Sequence, residues 1–597
     1  MYTIRRRHNL RLWLTIGLVL FVVFFFMLIF QSKEIDDTER IIQRKRNRYR
    51  EKVNERNQQE ENDHRVNRFN FRNPKNYDDQ EQEEHRSELS RTMKSLQKLI
   101  HLDLKGSPPK LNYLKELIPF MKKAGATGVI IEYEDFFPYK DDLESISNQN
   151  HYNHKELKEL FDLIKQNQMT VIPLIQTYGH LEFVLKLKQF AHLREAPEHF
   201  QVITPCSNET YSKVIFKMID QILELHPEEL EYIHIGCDEV YHINKNPSCS
   251  VNLPNLKTTQ DFFIYHVTNV VNYIKSKRPN LSVMIWEDMI RHNMLNQTDI
   301  TLRYFAKKIV PVVWNYRAEV EISDYVFKKY DDLFSEIWFA SAFKGATRQL
   351  ELIPDTKLHF YNHQSWLNII RNFPSTHKIK GMMLTGWSRY DHMQSVCEIM
   401  PAALPSMALC LQSLINYNED DRLIFEETKK IINCNYESHE SGFLYDIKNA
   451  KELKNPYLNV EKVINLYTCN FPGANLYNWL LGLKLTTESF EKRHNILSDV
   501  LNKYNLKNKF FNSMKLEEAT KVFYPSFKTK FKMLLSIGEK EFDNLFYADL
   551  YEELSAVYIQ KYIDLIDERL IELNKTKIPD SASIRPLNKI DVGQSML

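Results

Sequence analysis

Residues 231–243, EYIHIGCDEVYHI, form an alternating apolar run that ends on two adjacent carboxylates, Asp238 and Glu239. Paired carboxylates are the tools of glycoside hydrolysis: one protonates the leaving oxygen and the other stabilises positive charge at the ring carbon. Neighbours in an extended strand point to opposite faces, so this pair converges only if the backbone leaves strand geometry there. Reactive side chains also close other apolar runs: Asp103 with Lys105, Gln176 to His180, Trp286 with Asp288, Trp314 with Tyr316, Trp338, and Trp387 with Tyr390 and Asp391. Tryptophan faces gathered at one rim, ringed by carboxylates and cations, suit a sugar whose apolar face stacks while its hydroxyls are hydrogen-bonded. Cys237 reads as a small apolar core residue rather than a thiol nucleophile.

The elements that must position these groups follow from periodicity. Eight short apolar runs begin at Lys98, Ala126, Met169, Glu229, Leu281, Ile309, Asp332 and Ile379. Amphipathic stretches such as LNYLKELIPFMKKAG and HKELKELFDLIKQNQ separate them, the first closing on Gly125 as helices commonly do. Strands apolar throughout, each followed by a helix or long loop, predict a (β/α)8 TIM barrel over 93–417. A doubly wound open sheet is the alternative, but no glycine-rich phosphate loop follows the first strand. Residues 418–577 read as a helical C-terminal region, and 578–597, with Pro579, Pro586 and Gly593, as a flexible tail.

Before the barrel, Leu12 to Phe30 is an uncharged, mostly apolar run about as long as a bilayer core is thick, and it predicts a transmembrane signal anchor. Residues 1–11 would then be a cytoplasmic tail and 31–92, rich in Arg, Asn, Glu and Gln, a polar stem. Arginines before the helix and a basic stretch after it leave the charge rule undecided. Sequons at Asn208, Asn280, Asn296 and Asn574, all beyond the anchor, favour a luminal body. The expectation is a single-pass type II membrane protein of the Golgi or secretory pathway. Seven cysteines allow a bridge or two, for example involving Cys206 and Cys249, but the spacing does not give the connectivity, and an odd count leaves at least one thiol unpaired within the chain. A net charge of +1 gives no argument for a nucleic-acid partner.

HIGCDEVYH, taken with QTYGHLEF at 176–183, HLDLKGSPPK at 101–110, IEYEDFFPY at 131–139 and TGWSRYDH at 385–392, resembles glycoside hydrolase family 20 in its hexosaminidase D-like branch. The resemblance spans Lys94 to Leu414. It implies a retaining exo-β-N-acetylhexosaminidase acting on glycans with a terminal β-linked GalNAc or GlcNAc. The nucleophile would be the substrate's own 2-acetamido oxygen. It also implies that Glu239 is the general acid and then the base, with a raised pKa, and that Asp238 orients the acetamido group. Trp286, Trp314 and Trp387 would wall the pocket; Asp103, Lys105, His180, Asp288 and Asp391 would contact or support it. No cofactor and no metal is implied. The chain departs from the family where many members place a tyrosine after strand seven: here the stretch is WFASAFKG, leaving Tyr316 and Tyr390 as alternatives for holding the acetamido carbonyl. The layout of anchor, stem and body is also that of luminal glycosyltransferases, but the Asp-x-Asp metal motif that many of them use is absent from the chain. A catalytically silent glycan-binding protein on the same barrel is a third reading.

Overall fold

All eight apolar runs become strands. In the computed structural model, which describes residues 79–294, 300–434 and 469–577, they are β1 (Gln97–Asp103), β2 (Gly128–Glu132), β3 (Thr170–Leu174), β4 (Tyr232–His234), β5 (Ser282–Trp286), β6 (Val310–Trp314), β7 (Ile337–Lys344) and β8 (Ile379–Gly386). They pair in parallel in chain order and β8 closes on β1, which makes the expected (β/α)8 barrel. The β1–β2 register runs from Leu99 opposite Gly128 to Asp103 opposite Glu132, so the two strands end at one level.

Strand alternation then decides which side chains reach the barrel axis. Leu99, Ile130, Ile172, Leu174, Met284, Trp286, Val310, Val312, Ala340 and Met383 form the inner core. The other phase, including Ile100, Val129, Ile233, Val283, Val313, Phe339 and Leu384, faces the helices. Two-residue steps from the inner core towards the C-terminal ends lead to His101 and Asp103, Glu132 and Glu134, Asp288, Trp314 and Tyr316, and Trp387. One phase of the pleat thus supplies both the axial packing and the polar rim above it.

The main helices that follow the eight strands in turn are α1 (Leu111–Ala124), α2 (His154–Gln166), α3 (Phe216–Leu225), α4 (Thr259–Lys277), α5 (Ile300–Ala306), α6 (Asp324–Leu333), α7 (Thr356–Asn372) and α8 (Met400–Ile415). In α1, Leu114, Leu117, Ile118 and Met121 are buried at helical spacing, and Gly125 ends the helix at φ +108°, a conformation natural to glycine. Capping boxes start α2 (Asn153 with Glu156) and α4 (Thr258 with Asp261). The C-terminal region is helical as expected, with long helices Ala474–Val500, Tyr524–Asp543 and Lys561–Asn574. It docks on the barrel: the Lys110 amide donates to the Leu545 carbonyl at 2.7 Å, and the Tyr558 hydroxyl to the Val396 carbonyl at 3.0 Å.

One reading needs correction. Trp338 begins β7 rather than ending it, because this strand is eight residues long; it meets Tyr232 edge-on, at 5.5 Å, at the opposite mouth of the barrel. The last part of the stretch read as stem is helical, Asp79–Ser95. Its final turns pack on the barrel, with Met93 buried and Glu88 accepting the His377 amide at 2.9 Å. The tail 1–11, the anchor 12–30, the stem up to 78 and the terminal segment 578–597 lie outside the described residues. Among those described, no helix is long and apolar enough to cross a membrane.

Candidate active site

The backbone does turn at the carboxylate pair. β4 stops at His234, and Gly236, Cys237 and Glu239 all adopt positive φ (+67°, +72° and +48°). At φ +67° and with the Gln176 Cα 3.2 Å from where a Cβ would stand, Gly236 is a position that favours glycine. Cys237 turns its thiol into the core, near Thr177. Asp238 and Glu239, freed from strand alternation, converge on one imidazole: His180 Nε2 is 3.4 Å from Asp238 Oδ2 and 3.4 Å from Glu239 Oε2. His180 itself stands at φ +52° in the loop after β3. That loop is pressed against the carboxylate loop, since a Cβ on Gly179 would come within 2.3 Å of the Asp238 carbonyl oxygen.

The three groups polarise one another. Burial works against a charged His180, but Asp238, Glu239 and Glu182 outweigh it and raise its pKa to about 10. Burial raises Asp238 to about 7, with His180 opposing and the negative charges of Asp288 and Glu239 assisting. Glu239 goes the other way: the bond from His180 holds its carboxyl below the ordinary range despite partial burial. The expectation that Glu239 would be the raised carboxyl is therefore corrected: Asp238 is the one raised. Its side chain is more exposed and sits against a cation, whereas Asp238 beneath it is the desolvated one. Asp238 Oδ1 is buried and, among the described residues, has no hydrogen-bond partner.

Asp288, one step beyond β5, accepts the Glu239 amide on Oδ2 at 3.0 Å and the Trp314 indole N–H on Oδ1 at 3.3 Å. The aromatic wall forms from three strand ends. Trp286 and Trp387 lie 5.9 Å apart, Trp387 meets His101 edge-on at 4.7 Å, and Trp314 stacks on Tyr316 at 5.2 Å. Tyr316 places its hydroxyl by Thr385 and Trp387; burial raises its pKa, and the nearby Asp238 and Glu239 add to the rise. Lys105 is buried, pairs with Glu134 at 3.2 Å and lies 5.8 Å from the Trp387 ring centre. The Trp387 carbonyl is held by Lys344 Nζ at 2.8 Å.

Three other expected site residues are engaged elsewhere. Asp103 spends its carboxylate on the Lys105 amide (2.9 Å) and the Ser388 amide (2.7 Å), tying β1 to the end of β8. Asp391 accepts from the Met393 amide and the Gln394 side chain, both at 2.7 Å, within its own loop. Tyr390, 37% exposed, faces Cys397, Glu398 and Glu351 rather than the carboxylate pair.

Glu132 and Glu134 close the second apolar run of the sequence, whereas sequence reasoning passed over Glu182, Glu287, Lys344 and Glu398 as members of this neighbourhood. Burial alone would raise Glu132, but His101, Lys105 and Gln176 hold it down to about 2. Glu287, bonded by the Tyr330 hydroxyl, is raised by burial to about 8. The two-residue period of β2 pointed to Glu132 and Glu134, whereas nothing in the pattern marked Lys344 or Glu398. Cys206 and Cys249, offered by the sequence as candidates for a bridge, are joined to each other, a second bridge joins Cys434 to Cys469, and Cys237, Cys397 and Cys410 are free thiols.

The catalytic-domain profile of glycosyl hydrolase family 20 matches residues 116–400. Hexosaminidase D of Homo sapiens is 39% identical over 328 residues, 54% of this chain and 66% of the human protein. Hexosaminidase D of Bos taurus is 37% identical over 325 residues, 53% of this chain and 92% of the bovine protein. Among solved structures, a family 20 exo-β-N-acetylglucosaminidase from Vibrio harveyi, in complex with N-acetylglucosamine, is similar over 58% of this chain and 59% of its own, at 15% identity and a TM-score of 0.42.

Proposed function

Because this chain belongs to glycosyl hydrolase family 20, we propose that it is a retaining exo-β-N-acetylhexosaminidase that removes terminal β-linked GalNAc or GlcNAc from glycans with the help of the substrate's acetamido group. The observation that supports this best is the asymmetry of the carboxylate pair around His180: a buried Asp238 with one oxygen unpartnered, and a more exposed Glu239 above it.

In this reading the sugar lies against Trp286, Trp314 and Trp387, and its acetamido N–H donates to Asp238 Oδ1. Tyr316, rather than Tyr390, holds the acetamido carbonyl, since its hydroxyl stands among Thr385 and Trp387 in the field of both carboxylates. That carbonyl oxygen attacks C1 while Glu239 gives its proton to the glycosidic oxygen. The C1–O bond breaks, the leaving group departs as an alcohol, and a cyclic oxazolinium ion remains. Asp238 balances the positive charge on its nitrogen. Water then adds to C1, Glu239 takes the water's proton, and the ring opens to a product with the original β configuration.

The pair needs one proton on Glu239 and none on Asp238, the reverse of the preference set by burial of Asp238 and the His180 bond to Glu239. Bound substrate supplies the shift. Its amide favours an ionised Asp238, and its bulk over Glu239 removes water and favours the protonated acid.

The same proposal extends to location: a type II membrane protein anchored by residues 12–30, with the barrel luminal in the Golgi or secretory pathway. Exposed sequons at Asn208, Asn280 and Asn574 and two disulfides suit an oxidising, glycosylating compartment. Sensitivity of the cell-made protein to an N-glycan-removing enzyme tests this; an unshifted mass contradicts it.

Activity is tested by incubating the purified full chain with aryl β-GlcNAc, β-GalNAc and β-glucoside. Cleavage of either of the first two, none of the glucoside, and near-complete loss in Glu239→Gln are expected. Strong glucosidase activity, or an unimpaired Gln variant, contradicts the reading.

A further inference from the structure

Three side chains in EYIHIGCDEVYHI step outward from the pocket floor. The Asp238 side chain is 10% exposed and that of Glu239 is 36% exposed, while Tyr241 as a whole is 66% exposed. An exposed tyrosine alone means little, but this one has a second tie. Its hydroxyl reaches the Glu239 carboxylate, and its amide donates to the Glu239 carbonyl at 2.8 Å. The ring therefore stands directly outside the acid, not somewhere on the general surface.

Its segment is also held firmly. Val240 and Ile243, on either side, are buried in the core. His242 stacks on His199 at 4.1 Å, the Lys245 amide donates to Glu195 at 2.8 Å, and Cys249 is bridged to Cys206. An aromatic face on a braced loop loses little entropy when a ligand settles on it.

Direction matters as well. An acid that protonates the glycosidic oxygen stands between the sugar being removed and the group that leaves. If the removed sugar lies deep, beside Asp238 and the tryptophans, the leaving group must extend past Glu239 towards the mouth, across Tyr241.

We propose that Tyr241 is a specificity-determining residue of this site: its exposed ring is the platform on which the leaving group's first sugar stacks, so the enzyme favours saccharide or aromatic leaving groups over small alkyl ones. The inference rests on the hydrolase reading above. Pyranose rings present an apolar C–H face of the kind that stacks on tyrosine. The platform acts on the first step only, because the leaving group is gone before water attacks.

The test compares two substrates of whichever N-acetylhexosamine is accepted: its β-linked disaccharide with GlcNAc as leaving group, and its methyl β-glycoside. The readout is the ratio of their kcat/KM values in wild type, Tyr241→Ala and Tyr241→Phe. The Ala variant lowers the disaccharide-to-methyl ratio about fivefold or more, mainly through KM, and the Phe variant restores it. An unchanged ratio in the Ala variant, or equal losses on both substrates in Ala and Phe alike, overturns the platform and leaves Tyr241 as a partner of Glu239 only. A wild-type chain that cleaves no N-acetylhexosaminide overturns the hydrolase reading itself, and this inference with it.

Discussion

Asp288 accepts the backbone N–H of Glu239 at 3.0 Å, so the end of β5 fixes where the acid on the β4 loop stands. The same carboxylate takes the Trp314 indole N–H, which couples the position of the acid to one wall of the pocket. Asp288→Ala breaks both bonds. Losing a buried, charge-assisted bond costs about 1–3 kcal/mol, so kcat/KM for an aryl N-acetylhexosaminide falls about 10–100-fold. Asp288→Asn, which keeps an acceptor, loses less. Steady-state kinetics of both variants check this; equal losses would mean that charge rather than position matters.

The carboxylate pair sets the pH profile. Between the low pKa of Glu239 and the value of about 7 at Asp238, the two share one proton, and only that form can carry it on Glu239. Hence kcat/KM falls as pH rises through about 7, where the shared proton leaves. Protonated His180 lowers both carboxyls, so His180→Asn raises both pKa values and moves the alkaline limb to higher pH, besides slowing the reaction. A limb that stays in place, or moves to lower pH, contradicts the assignment.

Tyr316 and Tyr390 are separated by a simple pair of variants. Removing a hydroxyl that binds the acetamido carbonyl costs about 10–100-fold in kcat/KM. Tyr316→Phe shows that loss, whereas Tyr390→Phe stays within about twofold, since its ring faces Glu398 and Glu351. The reverse order would move the role to the β8 loop.

The Cys206–Cys249 bridge encloses α3, β4 and the carboxylate loop, with a sequence separation of 43 residues. Chain-entropy arguments give such a loop about 4 kcal/mol of stabilisation. Cys206→Ser with Cys249→Ser lowers the midpoint of denaturant unfolding accordingly, and reduction of the wild type does the same. A midpoint unmoved by either treatment contradicts this role.

Much of the barrel was legible because its strands are buried on both faces and so read as apolar runs, and the reactive side chains that close those runs include Asp288, Trp314, Tyr316 and Trp387. What escaped depended on geometry that no periodicity carries. Nothing in HIGCDEV says that Cys237 and Glu239, neither of them glycine, adopt positive φ, and without that turn the two carboxylates face apart. Trp338 was misplaced because run composition does not reveal where an eight-residue strand sits relative to the rim. Asp103 and Asp391 have the right chemistry, but loop amides use their oxygens. Glu553 was invisible for another reason: it grips Arg389 and the Val396 amide from more than 150 residues away in the chain.

Substrate assistance itself is tested most directly by weakening the proposed nucleophile without touching the protein. In a series of aryl substrates whose N-acetyl group carries zero, one, two and three fluorines, each fluorine withdraws electron density from the carbonyl oxygen that is to attack C1. If that oxygen is the nucleophile, kcat/KM falls steeply and monotonically along the series while Glu239 remains essential throughout. A rate indifferent to fluorination would contradict it and assign the attack to a side chain of the enzyme instead.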